Sequence, residues 1–207
     1  MRIYLTIKNI IDFIISGISL FLIIPFLVII GLLVFINLGL PIFFVQERPG
    51  HKGKLFKLIK FRTMKNIYDE ENLLLPDHKR QSKFGNWLRK SSLDELPEII
   101  NIFFGEMSFV GPRPLLTEYL DLYNQEQLSR HNVKPGITGL AQISGRNQID
   151  WEEKLKYDII YVNRISFWID MKILFKTITV ILSQSGISHK GYITMPRFKG
   201  NKNKPDE

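Results

Sequence analysis

The sequence predicts an α+β protein: an N-terminal membrane helix, a small β-hairpin and a helix-rich cytosolic domain with amphipathic interfacial helices. The first observation behind this is Phe13–Ile36, FIISGISLFLIIPFLVIIGLLVFI, which carries no charged residue. As a helix its roughly 24 residues extend about 36 Å, enough to cross a bilayer core. The second is a pair of short runs, Phe43–Gln46 and Leu55–Phe61, separated by turn residues Pro49, Gly50 and Gly53; that pattern reads as a hairpin. The third is the remainder, where amphipathic helical stretches alternate with Gly- and Pro-containing loops.

The membrane segment is too long for a signal-peptide core, and no small-residue cleavage site follows it. Pro25 stands near its middle, where it removes one helical hydrogen bond and predicts a kink or break. Arg2 and Lys8 precede the segment, while Arg48, Lys52, Lys54, Lys57, Lys60 and Arg62 follow it. The excess of downstream cations places that side in the cytoplasm. A spanning helix leaves the amino-terminal cations outside, whereas a re-entrant helix keeps every one of them inside; these physical arguments leave the two balanced.

In the hairpin, Phe56 and Leu58 are set against Lys57 and Lys60, which predicts a basic face beside the membrane. Asn66–Ser82 is polar and reads as a surface loop. Phe84–Lys90 is a short helix, and Leu96–Phe104 is another, stopped by Gly105. MSFVGPRP reads as a loop. Leu115–Arg130 is read as amphipathic, with Leu116, Tyr119, Leu120, Tyr123 and Leu128 in one stripe. Val133–Asn147 is a loop with room for short strands. Trp151–Arg164 is a helix, and Ser166–Ser185 is an apolar helix interrupted by Asp170, Lys172 and Lys176. Those charges argue against a second span and leave an interfacial helix and a soluble amphipathic helix equally open. The organisation expected is residues 1–40 as membrane helix, 41–200 as one catalytic domain and 201–207 as a polar, mobile tail.

Composition narrows the chemistry. The chain of 207 residues has a formal net charge of +8 and no cysteine. Disulfides, Cys-ligated zinc, iron–sulfur clusters and a Cys nucleophile are excluded, and the basic balance points to anionic partners such as lipid headgroups or phosphorylated molecules. No recognition helix or RNA-binding motif is present, so nucleic acid is not expected. The histidines His51, His78, His131 and His189 lie at no metal-ligand spacing and read as surface residues.

The stretch SSLDELPEII, Ser91–Ile100, holds adjacent acids Asp94 and Glu95 at a helix start, with Arg89, Lys90 and Arg113 nearby in sequence. Ser92 and Glu95 match a capping box, but that register puts Pro97 inside the first turns. Placing Asp94 at the N-cap makes Pro97 tolerable. The chemical alternative is a nucleophile. An aspartate is ionised at neutral pH and needs no base, but attack on a phosphate requires cations to offset like charge. Mg²⁺ and arginines supply that. Cap and nucleophile both remain open on these residues alone.

FFVQERPGHKGKLFKLIKFRTM, SLDELPEIINIFFGEMSFVGPRPLL and KPGITGLAQISGRN resemble, in order, the signature blocks of the bacterial monotopic phosphoglycosyl transferases. The resemblance runs from about Lys8 to Lys199. It implies transfer of a sugar 1-phosphate from a UDP-sugar to undecaprenyl phosphate with release of UMP, at the cytoplasmic face of the bacterial inner membrane. It makes Asp94 the nucleophile of a covalent phosphosugar intermediate and Glu95 its partner, a Mg²⁺ ligand with Asp94 or a base. Lys60, Arg89, Arg113 and Arg146 match the basic positions that clamp phosphates. It also implies a re-entrant N-terminal helix bent at Pro25. RPLLTEYLDLYNQEQLSRH and the SGIS…GYIT tail are most similar to the transferases of diacetylbacillosamine phosphate in protein glycosylation. The alternative is a hexose 1-phosphate donor in exopolysaccharide or O-antigen synthesis. The chain departs from the family pattern at Lys8-Asn9, where Lys-Arg is common, at Ile24-Pro25 in place of Ser-Pro, and at Leu140, where many members have Trp. A non-catalytic membrane adaptor is the rival of a different class.

Overall fold

The computed structural model describes residues 2–145, 149–182 and 197–201. Helix α1, Arg2–Leu38, is about 55 Å long at the α-helical rise. It is long and apolar enough to cross a membrane by length and composition. Of the kink or break expected at Pro25, the break does not occur, and α1 continues through the proline as one helix. A proline deletes one i→i−4 bond, and the bonds of the turns on either side hold the helix together. Gly39, at φ +77°, ends α1, and the Arg62 guanidinium donates to the carbonyls of Leu38, Gly39 and Leu40. These are acceptors that a helix end leaves without intrahelical partners. Arg62, expected among the cytoplasmic cations, is therefore buried in a structural role.

Both flanks of α1 pack on the same body while its middle is exposed. Near the amino end, Lys8 is ion-paired with Asp170 at 2.6 Å and Phe13 stacks on Phe103. Near the carboxyl end, Ile30 and Val34 pack with Phe61 and Leu88. Between them Phe21, Leu22, Ile24 and Phe26 are exposed.

Strands β1 (Phe43–Pro49) and β2 (Leu55–Phe61) form the expected antiparallel hairpin. Its faces differ from the expectation. Residues two apart share a face, so Lys60 lies with the buried Phe56 and Leu58, not with the exposed Lys57. The polar segment that follows contains one turn of helix, α2 (Asp77–Arg80). Helix α3 (Lys83–Ser91) is capped by Ser82, whose hydroxyl accepts from Gly85 N at 2.9 Å. A Cβ on Gly85 would lie 1.8 Å from Thr63 O, so α3 can seat against the end of the hairpin only with glycine there. Helix α4 (Glu98–Phe103) ends at Gly105, φ +77°. Asn101 on α4 is almost fully buried, and its amide satisfies both Ile59 N and Lys57 O of β2. One side chain thereby completes the strand's hydrogen bonding and fixes α4 against it.

Sequence reading failed over the next segments. MSFVGPRP, expected as a loop, contributes β3 (Ser108–Val110), which pairs in parallel with β4 (Gly136–Thr138). A Cβ on Gly136 would stand 2.1 Å from Gly111 N, so this approach excludes any side chain. Leu115–Arg130 is not one helix but a 3-10 turn Thr117–Leu122, helix α5 (Gln125–Leu128) and a 3-10 turn Ser129–Asn132. Asn124 and Gln127 form a reciprocal capping box that restarts the chain in a new direction, and Leu128 leaves the expected stripe for the surface. Helix α6 (Leu140–Ile143) follows β4. Helix α7 (Trp151–Arg164) matches its expected range. Helix α8 (Phe167–Leu182) begins one residue later than expected; the expected end at Ser185 lies outside the described residues.

Helix α8 is two-faced. Asp170 and Ile173 point inward, and the Thr177 hydroxyl meets that of Thr138 at 2.6 Å. Trp168, Lys172, Phe175, Lys176 and Ile178 are exposed. Asp170 accepts from Lys8, Tyr4 and Tyr161, so Lys8 is engaged with protein and is not a headgroup anchor. Phe198, near the end of the expected catalytic domain, is buried against Tyr119, Tyr123 and Trp151.

Candidate active site

Asp94 and Glu95 lie in a 3-10 turn, Leu93–Glu95, wedged between α3 and α4. Ser92 ends α3 in the left-handed conformation, φ 57°, and turns the chain sharply. Leu93 and Leu96, three apart, point into the cluster of Val34, Phe61 and Leu88. This leaves Asp94 and Glu95 facing the other way. Ser92 takes the N-cap position of the turn but its side chain makes no capping bond, and Asp94, inside the turn, caps neither it nor α4. Pro97, at φ −63°, directly precedes α4, where its missing N–H has no intrahelical partner to lose.

Lys60 and Arg113 converge on Glu95. Lys60 Nζ lies 2.8 Å from Glu95 Oε1 and 2.8 Å from Glu98 Oε1, and Arg113 Nη2 lies 2.5 Å from Glu95 Oε1. The Arg113 side chain is 41% exposed. Arg89 Nε donates to Thr63 Oγ1 at 2.8 Å, which ties it to the end of the hairpin. Asp94 is buried, yet among the described residues it has no ion-pair partner within contact distance. Of the basic residues expected at the site, Lys60 and Arg113 touch the dyad directly. Arg89 acts on Asp94 through its charge, and Arg146 lies outside the described residues.

Burial pushes the Asp94 carboxyl up to about 6, the Glu95 charge adds to this, and Lys60, Arg113 and Arg89 oppose it. Burial also pushes Glu95 up, but Arg113 and Lys60 together outweigh it and hold that carboxyl well below the usual range. The neighbouring acids therefore separate into one firmly ionised and one poised. Burial lifts Glu98 to about 7 against the pull of Lys60.

Sequence reading missed three contributors. Glu98 shares Lys60 with Glu95. Asn101 sets the height of α4 on the hairpin. Arg130, buried and paired with Asp158 at 2.7 Å, donates to the main-chain carbonyl of Arg113 at 2.7 Å, and so fixes the loop that carries Arg113. Their signal was faint: polar residues at positions where the helical pattern demanded apolar ones. His131, expected at the surface, is buried with Nδ1 3.3 Å from Gly50 O. Burial, followed by the Arg130 charge, lowers it to about 4.

The family described as bacterial sugar transferase matches residues 3–184. The chain belongs to the bacterial sugar transferase family. Its relatives include the uncharacterized sugar transferase EpsL of Bacillus subtilis (strain 168), 50% identical over 166 residues that span 80% of this chain and 82% of EpsL. The UDP-glucose:undecaprenyl-phosphate glucose-1-phosphate transferase of Klebsiella pneumoniae is 40% identical over 83% of this chain, but that match covers 39% of the relative. The exopolysaccharide production protein ExoY of Rhizobium meliloti (strain 1021) is 36% identical over 86% of this chain and 87% of ExoY. As a bacterial sugar transferase the chain is an enzyme of the transferase class, and the site around Asp94 lies within the matched span.

Proposed function

We propose that this bacterial sugar transferase moves a sugar 1-phosphate from a UDP-sugar to undecaprenyl phosphate, with Asp94 as nucleophile. The observation that carries this is a buried carboxylate, without an ion-pair partner among the described residues, beside a second carboxylate held by Lys60 and Arg113. Asp94 attacks the β-phosphorus, the P–O bond to the α-phosphate breaks, and its electron pair leaves on UMP. An oxygen of the lipid phosphate then attacks the same phosphorus and the carboxylate of Asp94 departs. Lys60 and Arg113 neutralise charge where it accumulates, and Arg89 opposes repulsion from the other side. Glu95 orients both cations and stays ionised throughout.

The donor set fits Mg²⁺, which takes one or two protein carboxylates and completes its shell with water and phosphate oxygens. Both cations engage Glu95 through Oε1, which leaves Oε2 for a metal, with Asp94 beside it. Bound there, Mg²⁺ would neutralise phosphate charge.

The names of the relatives rank the donor. One is named for the transfer of glucose 1-phosphate from UDP-glucose to undecaprenyl phosphate and another for exopolysaccharide production, so a hexose 1-phosphate takes precedence over diacetylbacillosamine phosphate. The test is incubation of the full chain with Mg²⁺, undecaprenyl phosphate and a panel of UDP-sugars. UMP release is expected, fastest with UDP-glucose or UDP-galactose. No release from any donor would reject the reading, and preference for UDP-diacetylbacillosamine would restore the other sugar.

The catalytic body sits on the cytoplasmic face of the inner membrane in this reading, with α1 re-entrant. Its support is that both flanks of the apolar stretch contact the same body through Lys8, Phe13, Ile30 and Val34. A tag at residue 1 is expected to be labelled only after the cytoplasmic side is opened; labelling of intact spheroplasts would show a spanning helix instead.

A further inference from the structure

Arg48 is a half-buried cation for which the proposed chemistry has so far needed no role. The hairpin register pairs Phe44 with Lys60, Gln46 with Leu58 and Arg48 with Phe56. Directly opposed residues share a face, so Arg48 and Gln46 point to the same side as Lys60. Arg48 Nη2 donates to Gln46 Oε1 at 2.6 Å, which fixes the plane of the guanidinium. Its Nε is buried and, among the described residues, has no hydrogen-bond partner. Among the described residues no carboxylate lies within ion-pair distance of it. The next residue, Pro49, lines one cleft with Pro112 and Pro114, the residues on either side of Arg113, so the two arginine-bearing loops meet there. Burial, and next the like charge of Arg113, lower Arg48 to about 10. A desolvated guanidinium with an uncommitted N–H beside another cation is a costly arrangement. An anion bound between the two arginines relieves it, because a guanidinium fork matches phosphate oxygens.

We infer that Arg48 is a further phosphate-binding residue of the site, oriented by Gln46 and acting alongside Arg113 on one phosphate group. This rests on the phosphoglycosyl-transfer reading. The phosphate is either that of the departing nucleotide or that of the lipid acceptor, since both must approach the same phosphorus.

The test uses the full chain in detergent with Arg48→Met and Arg48→Lys. If the phosphate is the nucleotide's, calorimetric titration with UMP is expected to show at least about tenfold weaker binding for Arg48→Met. Arg48→Lys is expected to fall between, since it keeps the charge and loses the fork. If the phosphate is the lipid's, UMP affinity stays at the wild-type value while KM for undecaprenyl phosphate rises by a similar factor, with kcat at saturating lipid little changed. Wild-type values in both assays for Arg48→Met overturn the inference. Should that variant fail to fold, Arg48→Lys carries the same two readouts, and wild-type values there overturn it too. A wild-type protein that binds UMP through Arg48 yet releases none from any UDP-sugar would keep the subsite and reject the reaction. A wild-type protein that neither binds UMP nor uses the lipid rejects both.

Discussion

Asp94→Asn is expected to abolish UMP release, by at least about 10³-fold, while raising the melting temperature. The substitution is nearly isosteric, so the turn held by Leu93 and Leu96 stays in place. Its amide cannot attack phosphorus as a carboxylate can. The stability effect follows from linkage. Burial and the Glu95 charge raise Asp94 from its ordinary 3.8 to about 6. A carboxyl whose folded pKa is raised contributes stability below its unfolded pKa, and that contribution is lost as pH rises through the folded pKa. At neutral pH the wild-type protein therefore carries a destabilising charge that asparagine lacks. The gain in melting temperature should be present at pH 7 and vanish below about pH 4. The same titration sets the rate: the nucleophile must be ionised, so wild-type kcat/KM should fall about tenfold per pH unit below about 6 and level off above it. Turnover by Asp94→Asn at anything near the wild-type rate would remove Asp94 as nucleophile and favour the adaptor alternative.

Arg130→Met is expected to destabilise the protein by about 3–5 kcal/mol, because it strands Asp158 as a buried, unpaired carboxylate. The side chains of Arg130 and Asp158 are each 2% exposed and lie 2.7 Å apart, and burial already pushes Asp158 up against the pull of Arg130. For a chain of this size such a loss lowers the melting temperature by roughly 6–20 °C. The double variant Arg130→Met/Asp158→Leu should recover most of that stability, since apolar replacement of a buried pair is often neutral. It should not recover UMP release, because the carbonyl of Arg113 still lacks the donor that Arg130 supplies. Recovery of both would show that Arg130 stabilises the fold without positioning Arg113. Thermal melts and the UMP assay on the same preparations separate the two outcomes.

Much of this was written locally. The apolar run marked α1, the turn residues marked the hairpin, and Trp151–Arg164 was readable to the residue because Asp150 caps it and its pattern is strongly periodic. The acidic pair and its cations were legible because such charges stand out on a short peptide segment. The segment from Leu115 to Arg130 was misread because its apolar spacing fits a helix, while the reciprocal cap of Asn124 and Gln127 breaks it into turns. Val133–Asn147 had room for the short strand β4, but its partner β3 was not legible, because parallel pairing joins segments distant in sequence, through a glycine contact that no local pattern announces.

The sequence by itself therefore determined the elements with a strong hydrophobic period, the membrane-length helix and the identity of the acids and cations. Tertiary structure alone decided which cation serves which acid. Lys60 is shared by Glu95 and Glu98, Arg113 is set by Arg130, and among the described residues Asp94 is left unpaired. The physical reason is that a charge's partner and its desolvation depend on what is packed around it. Burial separates Asp94 from Glu95, two adjacent carboxylates that are alike in sequence.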